Sequence, residues 1–121
     1  MAVRAIRGAV TADSNTKDEI LNKTRNLIEE IITKNGIENE DIISIFFTTT
    51  SDLNAVFPAV AARQIGLVDI ALMCSNEIDV PGSLRMCIRL MMHVNTDKSN
   101  SEIQNVYLGD AQKLRPDLNN E

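Results

Sequence analysis

The sequence predicts an α/β (α+β) fold in which a mixed β-sheet carries one long helix and one or two short ones. Residues 87–95 alternate with a period of two, residues 41–50 form a continuous β-favouring run, and residues 20–32 carry apolar side chains at helical spacing. A chain of 121 residues is long enough for one domain with one core. We therefore expect a single domain over residues 1–121, with a mobile polar tail at 115–121.

The first half of the chain predicts two strands separated by the long helix. A partly β-branched segment at 3–12 is the first strand. Thr16 followed by Glu19 is typical of a capping box, and Gly36 is typical of a helix end. Because the run at 41–50 is apolar without alternation at its centre, we expect a second strand that is covered on both faces.

The middle of the chain predicts a short helix, a third strand and a loop. Pro58 is suited to the first turn of a helix that ends at Gly66, and residues 69–74 follow as the third strand. The polar, glycine- and proline-containing segment at 75–83 is predicted to be a loop that leads into the strand containing Arg89.

The end of the chain predicts a short closing unit. The polar segment before it is expected to contain one helical turn near residues 101–105. Residues 106–108 and 111–114, separated by a Gly-Asp turn, predict a β-hairpin.

Composition excludes several functional classes. Three Phe, one Tyr, no Trp and a net charge of −5 argue against nucleic acid as a partner. No apolar run approaches the roughly 18 residues of a membrane span, and the N-terminus has no signal-peptide pattern. Cys74 and Cys87 lack metal-ligand spacing, so we expect free thiols, no metal and a reducing, cytoplasmic location.

The motifs of nucleophilic and metal catalysis are missing from the sequence. It contains no GxSxG elbow, no HExxH pair and no glycine-rich phosphate loop. The one histidine, His93, has no second histidine or cysteine pair beside it, and a lone histidine in a strand is usually structural.

Arginines in strands are the most informative charged residues. Arg89 shares a face of its strand with Cys87 and Met91, and Arg7 shares a face of the first strand with small apolar residues. A guanidinium withdrawn from water must contact an anion, which is either a carboxylate of this chain or an external ligand. Glu77, in the loop after the third strand, is either a solvated charge or part of such a site, and Tyr107 is either a simple strand residue or a hydroxyl at its rim.

Four segments of the sequence resemble one known family. The segments VRAIRGAVT, DLNAVFPAVAAR, CSNEIDVPGSLRMCIRLMMHVNTD and VYLGDAQKLRPDL occur in order and are similar to the small monofunctional chorismate mutases of the AroH type. The resemblance extends over roughly residues 2–118, with a shift of one residue near Gly66. It implies a homotrimeric pseudo-α/β-barrel with an active site in each of three clefts between subunits. It also implies an isomerase without a cofactor that converts chorismate to prephenate by a Claisen rearrangement, on the route to phenylalanine and tyrosine.

The same resemblance implies roles for individual residues. Arg89, Glu77 and Arg7 are the implied catalytic residues, with Glu77 accepting the ring hydroxyl of the substrate and Arg7 also holding it. The implied substrate contacts are Arg7, Phe57, Arg63, Met73, Cys74, Ser75, Asn76, Glu77, Arg89, Tyr107, Leu114 and Arg115.

The sequence departs from the family pattern at two positions near the implied cleft. Val60 stands where relatives carry a lysine, which removes one positive charge, and Met73 replaces a small polar residue. A non-catalytic alternative is a trimeric anion-binding module that uses the same arginines to sense a metabolite. Loss of chorismate absorbance on mixing distinguishes the enzyme from this sensor.

Overall fold

A computed structural model of the chain describes residues 1–114, and these form one five-stranded mixed sheet with the strand order β3-β2-β4-β1-β5. The central strand β4 is antiparallel to β1 and β2, while β3 and β5 are parallel to their neighbours at the two edges. The strands are β1 (Ala2–Thr11), β2 (Ile42–Thr49), β3 (Ala71–Asn76), β4 (Cys87–Thr96) and β5 (Val106–Leu108). The predicted mixed sheet and its five strands at 3–12, 41–50, 69–74, 87–95 and 106–108 are confirmed to within two residues at each end.

Two α-helices accompany the sheet, as predicted. They are α1 (Lys17–Asn35) and α2 (Ala59–Gln64), and single 3-10 turns occupy Asn39–Asp41 and Asn100–Glu102. The second of these turns is the helical turn expected near 101–105, displaced toward the N-terminus. None of the helices within residues 1–114 is both long enough and apolar enough to cross a membrane.

The ends of α1 follow the capping chemistry of the sequence, with one exception. The Thr16 hydroxyl accepts the Glu19 N–H at 3.3 Å, and Gly36 ends the helix with φ 60°. The Glu19 carboxylate, however, accepts the Asp13 N–H at 2.6 Å and not that of Thr16. Only half of the predicted capping box therefore forms, because the chain folds back at Asp13 and offers Glu19 a nearer donor.

The core lies between the helices and one face of the sheet. On β4, Ile88, Leu90, Met92 and Val94 are 0–4% exposed, which confirms the alternation read from the sequence. They pack in one cluster with fully buried α1 residues such as Ile31. Each such side chain stabilises the fold by about 1.5–3 kcal/mol through burial.

Within residues 1–114 no α-helix lies over the opposite face of the sheet, and we call it the open face. On β2, Phe47 is fully buried while Phe46 is 39% exposed, so the prediction that this strand is covered on both faces is wrong for the chain. Phe46 lies opposite Met73 of β3 on one side and Met91 of β4 on the other, and both methionines are exposed. The run at 41–50 lacks alternation because both of its faces carry apolar residues, only one of which this chain covers.

The predicted hairpin at 106–108 and 111–114 is wrong in its second half. β5 pairs in parallel with β1, and Gly109–Lys113 forms a 3-10 helix. The edge of β1 not occupied by β4 accepts β5, and the Thr11 hydroxyl accepts the Asp110 N–H at 3.0 Å, which turns the chain away from a return strand. The predicted tail at 115–121 lies outside the described residues.

Gly8 allows α1 to approach the sheet. A Cβ at this position would lie 2.7 Å from Cδ1 of Ile31 and 3.1 Å from Cδ1 of Leu27. We expect Gly8→Ala to lower the free energy of unfolding by about 1–3 kcal/mol, since the two buried α1 side chains have to shift in a closely packed core, and urea denaturation measures this loss.

The matched control removes the atom that the new methyl group meets. Ile31→Val deletes Cδ1 and alone costs about 0.5–1.5 kcal/mol. The double variant Gly8→Ala/Ile31→Val should be less destabilised than the sum of the two single variants. Strict additivity would contradict the proposed contact.

Candidate active site

The strand register brings charged side chains from two strands and one loop together with neutral side chains of their neighbours on the open face. Arg89 on β4 lies between Thr48 of β2 and Ala9 of β1, and Tyr107 of β5 is the next partner of Ala9. Arg7 lies two pairs further along β1 on the same face, opposite Met91. The result is a pocket of about 270 Å³ that includes Arg7, Phe46, Glu77, Arg89, Met91 and Tyr107 in its lining.

Glu77 is fixed at the end of β3 by its backbone and its side chain. Its N–H donates to the Thr49 carbonyl at 2.9 Å, and its Oε1 accepts the Thr48 hydroxyl at 2.6 Å. The same Oε1 lies 3.5 Å from Nε of Arg89. The carboxylate that sequence reasoning left as either solvated or functional is therefore ordered beside the arginine of the central strand.

The Glu77–Arg89 ion pair leaves the arginine able to bind an anion. At 3.5 Å it is longer than the 2.7–2.9 Å typical of a charge-assisted hydrogen bond, and the Arg89 side chain is 41% exposed. Pairs of this exposure contribute about 0–1 kcal/mol to stability. One contact through Nε cannot satisfy the five N–H donors of a guanidinium, so the group remains able to bind a second acceptor.

Arg7 contributes a second cation to the pocket. Its backbone N–H donates to Oδ1 of Asn105 at 2.8 Å, but its guanidinium forms no ion pair within residues 1–114. With Arg89 also positive and Glu77 negative, the three charged side chains give the pocket a net charge of +1. This local excess is opposite in sign to the net charge of −5 for the whole chain.

A second pocket, of about 500 Å³, holds other residues that the sequence assigned to the site. Phe57, which is 71% exposed, lines it together with Cys74, Ser75 and Asn76. Within one chain the predicted site is therefore divided between two separate pockets. Arg7, Arg89 and Tyr107 line the first pocket, and Phe57 lines the second.

The remaining predicted site residues lie outside both pockets. Met73 is 65% exposed on the open face, and Arg63 is exposed on α2. Leu114 packs against a small buried cluster that contains Tyr107. Arg115 lies outside the described residues.

Sequence reasoning missed the residues that hold the pocket in place. Thr48 anchors Glu77, and Phe46 and Met91 form an apolar wall. Alternation along β2 places Phe46 and Thr48 on one face, but only the pairing of β2 with β4 brings that face to Arg89.

In the part of the chain that the structure describes, the surroundings of the two cysteines and the histidine show no sign of an activated nucleophile. Both cysteines are free thiols, and His93 Nδ1 lies 3.2 Å from the Ser44 hydroxyl. Burial raises the pKa of Cys87 from 9.0 to about 11, although the nearby Arg89 guanidinium acts in the opposite direction. Cys87 is therefore a neutral thiol at physiological pH and not an activated nucleophile. Within residues 1–114 no three histidine, cysteine or acidic side chains are grouped as metal ligands.

The fold and the pocket define an α/β protein in which two arginines stand in one pocket, on the face of the sheet that α1 and α2 leave uncovered. The chain belongs to the chorismate mutase type I family, whose model matches residues 3–118.

Two curated proteins and one solved structure show how close this relationship is. The chain is 45% identical to chorismate mutase AroH of Bacillus subtilis over 119 residues, covering 98% of this chain and 94% of the relative. It is 44% identical to chorismate mutase AroH of Thermus thermophilus over 117 residues, covering 96% of each. The structure of the chorismate mutase from Clostridium thermocellum matches with a TM-score of 0.90 and 59% identity, over 91% of this chain and 98% of that one.

The raised pKa of Cys87 predicts a pH-dependent stability. The folded state retains the thiol proton while the unfolded state loses it near pH 9, so this contribution is complete below pH 9 and is lost as the pH rises toward 11. By pH 10 we expect a loss of about 1 kcal/mol relative to pH 8, measured by urea unfolding across this range. Cys87→Ala should remove this part of the slope, while Cys74→Ala should retain it. Identical slopes in the two variants would contradict the assignment.

Proposed function

We propose that the pocket on the open face catalyses the Claisen rearrangement of chorismate to prephenate, on the route to phenylalanine and tyrosine. Membership of the chorismate mutase family makes the protein an isomerase of this class. The observation that carries the proposal for the site is the ordered Glu77–Arg89 pair beside an Arg7 that forms no ion pair within the described residues.

The chemistry of the reaction suits a pocket without a nucleophile. A pericyclic rearrangement transfers no proton to the protein and forms no covalent intermediate with it. The enzyme has to hold a flexible dianion in its folded, reactive conformer and to stabilise charge that develops in the transition state. Fixed cations in a partly enclosed pocket perform both tasks.

Arg89 faces the ether oxygen of the breaking C–O bond in this proposal. Negative charge grows on that oxygen as the bond lengthens, and a guanidinium held beforehand by Glu77 needs little reorganisation to meet it. The central strand gives Arg89 a rigid backbone, with neighbours on both sides.

The other polar groups position the substrate. Thr48 and Arg89 both contact Oε1 of Glu77, so Oε2 can accept the ring hydroxyl. Arg7 and Tyr107, from the adjacent strands β1 and β5, bind a carboxylate.

We propose that three copies of the chain assemble through their open faces and complete each site. The exposed apolar side chains of Phe46, Met73 and Met91 give this face the character of an unpaired interface. The division of the predicted site between two pockets supports a cleft to which one subunit brings the arginines and its neighbour brings Phe57 and Arg63. Closure by Leu114 and Arg115 belongs to the same proposal.

Two further features belong to the proposed function. Val60, which is partly buried at the start of α2, supplies no charge at the rim, so the attraction for the substrate carboxylates depends on the remaining arginines. A cytoplasmic site of action agrees with the two free cysteines. No structural observation favours the metabolite sensor over the enzyme.

The decisive experiment follows the ultraviolet absorbance of chorismate in the presence of the purified protein and its Arg89→Ala variant. We expect saturable loss of absorbance with the unmodified protein, and a fall in kcat of at least about 10²–10³ in the variant, because the fixed cation acts mainly in the transition state. KM should change much less.

Two variants calibrate this result. Arg7→Ala should raise KM at least as much as it lowers kcat, since Arg7 holds the substrate. Arg25→Ala removes the same charge from α1, on the other side of the sheet, and should leave both constants unchanged. An Arg89→Ala enzyme with normal kcat and raised KM would contradict the role of Arg89. Binding without loss of absorbance by the unmodified protein would favour the sensor.

Sedimentation tests the assembly. We expect a mass three times that of the 13.4 kDa chain. Phe46→Glu should dissociate the trimer, since the substitution buries a charge at the interface. Phe46 is already 39% exposed in the single chain, so a glutamate there should still allow the subunit to fold. Val68→Glu, at an exposed apolar position after α2 and outside the sheet, is the control and should sediment as the unmodified protein. A Phe46→Glu protein that remains trimeric would place the interface elsewhere.

A further inference from the structure

The segment between β3 and β4, residues 77–86, is hydrogen-bonded at both ends to residues 48–52, at and just after the end of β2. At its first residue, Glu77 bonds to Thr49 through its backbone and to Thr48 through its carboxylate. At its last residue, the Met86 N–H lies 3.2 and 3.1 Å from the two carboxylate oxygens of Asp52. The two ends of the loop are therefore set by one short stretch, residues 48–52.

Met86 has an unusual backbone conformation that needs such support. Its φ is 54°, the only positive φ of a non-glycine residue within the described part of the chain. Residues with a Cβ adopt this left-handed region rarely and at an energetic cost. The Met86 N–H is held by Asp52, and its carbonyl accepts the Ala12 N–H at 2.8 Å. The backbone of Met86 is thus held on one side by the segment after β2 and on the other by the segment after β1.

Thr50 extends this support to the first residue of β4. Its hydroxyl donates to the Asp52 carboxylate and accepts the Cys87 N–H at 2.9 Å. Its backbone N–H donates to the Cys87 carbonyl at 3.0 Å. Asp52 and Thr50 together fix Met86 and Cys87. Arg89 lies two positions after Cys87, on the same face of β4.

We infer that Asp52 is a positioning residue of the proposed reaction: it holds Met86 in its left-handed conformation and so sets Arg89 against Glu77. Asp52 lines neither the arginine pocket nor the Phe57 pocket, and it acts only through the backbone that leads to Arg89. This inference rests on the proposed function, since turnover is the property that the placement of Arg89 controls.

The inference predicts a specific kinetic signature. Loss of the carboxylate allows the start of β4 to relax, and displacements near 1 Å at a reacting centre cost about 10²-fold in rate. Arg7 lies on β1 opposite Met91, further along the sheet from the loop than Arg89 is, so substrate binding through Arg7 should be retained. A residue needed only for folding would not separate kcat from KM.

The experiment compares Asp52→Ala with Asp52→Asn in the chorismate assay, below the unfolding temperature of each variant. We expect kcat of Asp52→Ala to fall about 10- to 100-fold with KM changed less than about threefold. Asp52→Asn should recover most of the activity, because Oδ1, which contacts both Thr50 and Met86, remains an acceptor.

Glu102→Ala is the matched control. Glu102 also accepts one backbone N–H and one hydroxyl, both from Ser99, but beyond the end of β4 remote from Arg89. Its loss removes the same kind of contact, and kcat should not change.

A second pair of variants decides the matter if Asp52→Ala does not fold. Thr50→Val removes the hydroxyl that connects Asp52 to Cys87 at almost unchanged volume, and Thr50→Ser retains it. We expect about a tenfold loss of kcat in Thr50→Val only. Normal kcat in a folded Asp52→Ala, or equal kcat in the two Thr50 variants, would overturn the inference. Absence of turnover in the unmodified protein would instead overturn the proposed function.

Discussion

The contact between Arg89 and Glu77 is the interaction around which the site is organised. The backbone holds each partner in place. Arg89 stands on the central strand of the sheet, and Glu77 forms two hydrogen bonds to the end of β2. The pair is loose at 3.5 Å and partly exposed to water, so it contributes little to stability. Its value is geometric, because it fixes the direction of a permanent cation while leaving most of its donors for a ligand. Electrostatic catalysis requires this kind of prior orientation.

A sheet with its α-helices on one face only makes such a site possible. The layer formed by α1 and α2 gathers the large aliphatic side chains on one side, and the core there is complete. The other face can then carry arginines without competing for core volume, between the apolar wall of Phe46 and Met91 and the small buried cluster around Tyr107. A local charge of +1 in a chain of net charge −5 also means that anions are attracted by the pocket and not by the protein as a whole.

Much of this arrangement could be predicted from the sequence, because it depends on local periodicity. Alternation along β4 assigned Arg89 to the face opposite the core, and helical spacing and Gly36 defined α1. The errors occur where the outcome depends on partners distant in sequence. The turn at Gly109 is compatible with a hairpin, and only the free edge of β1 makes β5 a parallel strand. The unbroken apolar run of β2 correctly indicated that the strand has two apolar faces. It could not indicate what covers the second face.

The candidate site shows the same limit more sharply. Arg7, Glu77, Arg89 and Tyr107 were identified from residue type and family resemblance, and the strand order brings them into one pocket. Thr48 and Asp52 carry no such signal, because threonine and aspartate at a strand end are common in turns. Their importance arises from what they bond: Thr48 holds the loop where it begins and Asp52 where it ends, 29 and 34 residues away in sequence. A family pattern identifies the groups that contact a substrate. Hydrogen bonds between distant segments decide whether those groups are held at the right place, and this information is present only in the folded chain.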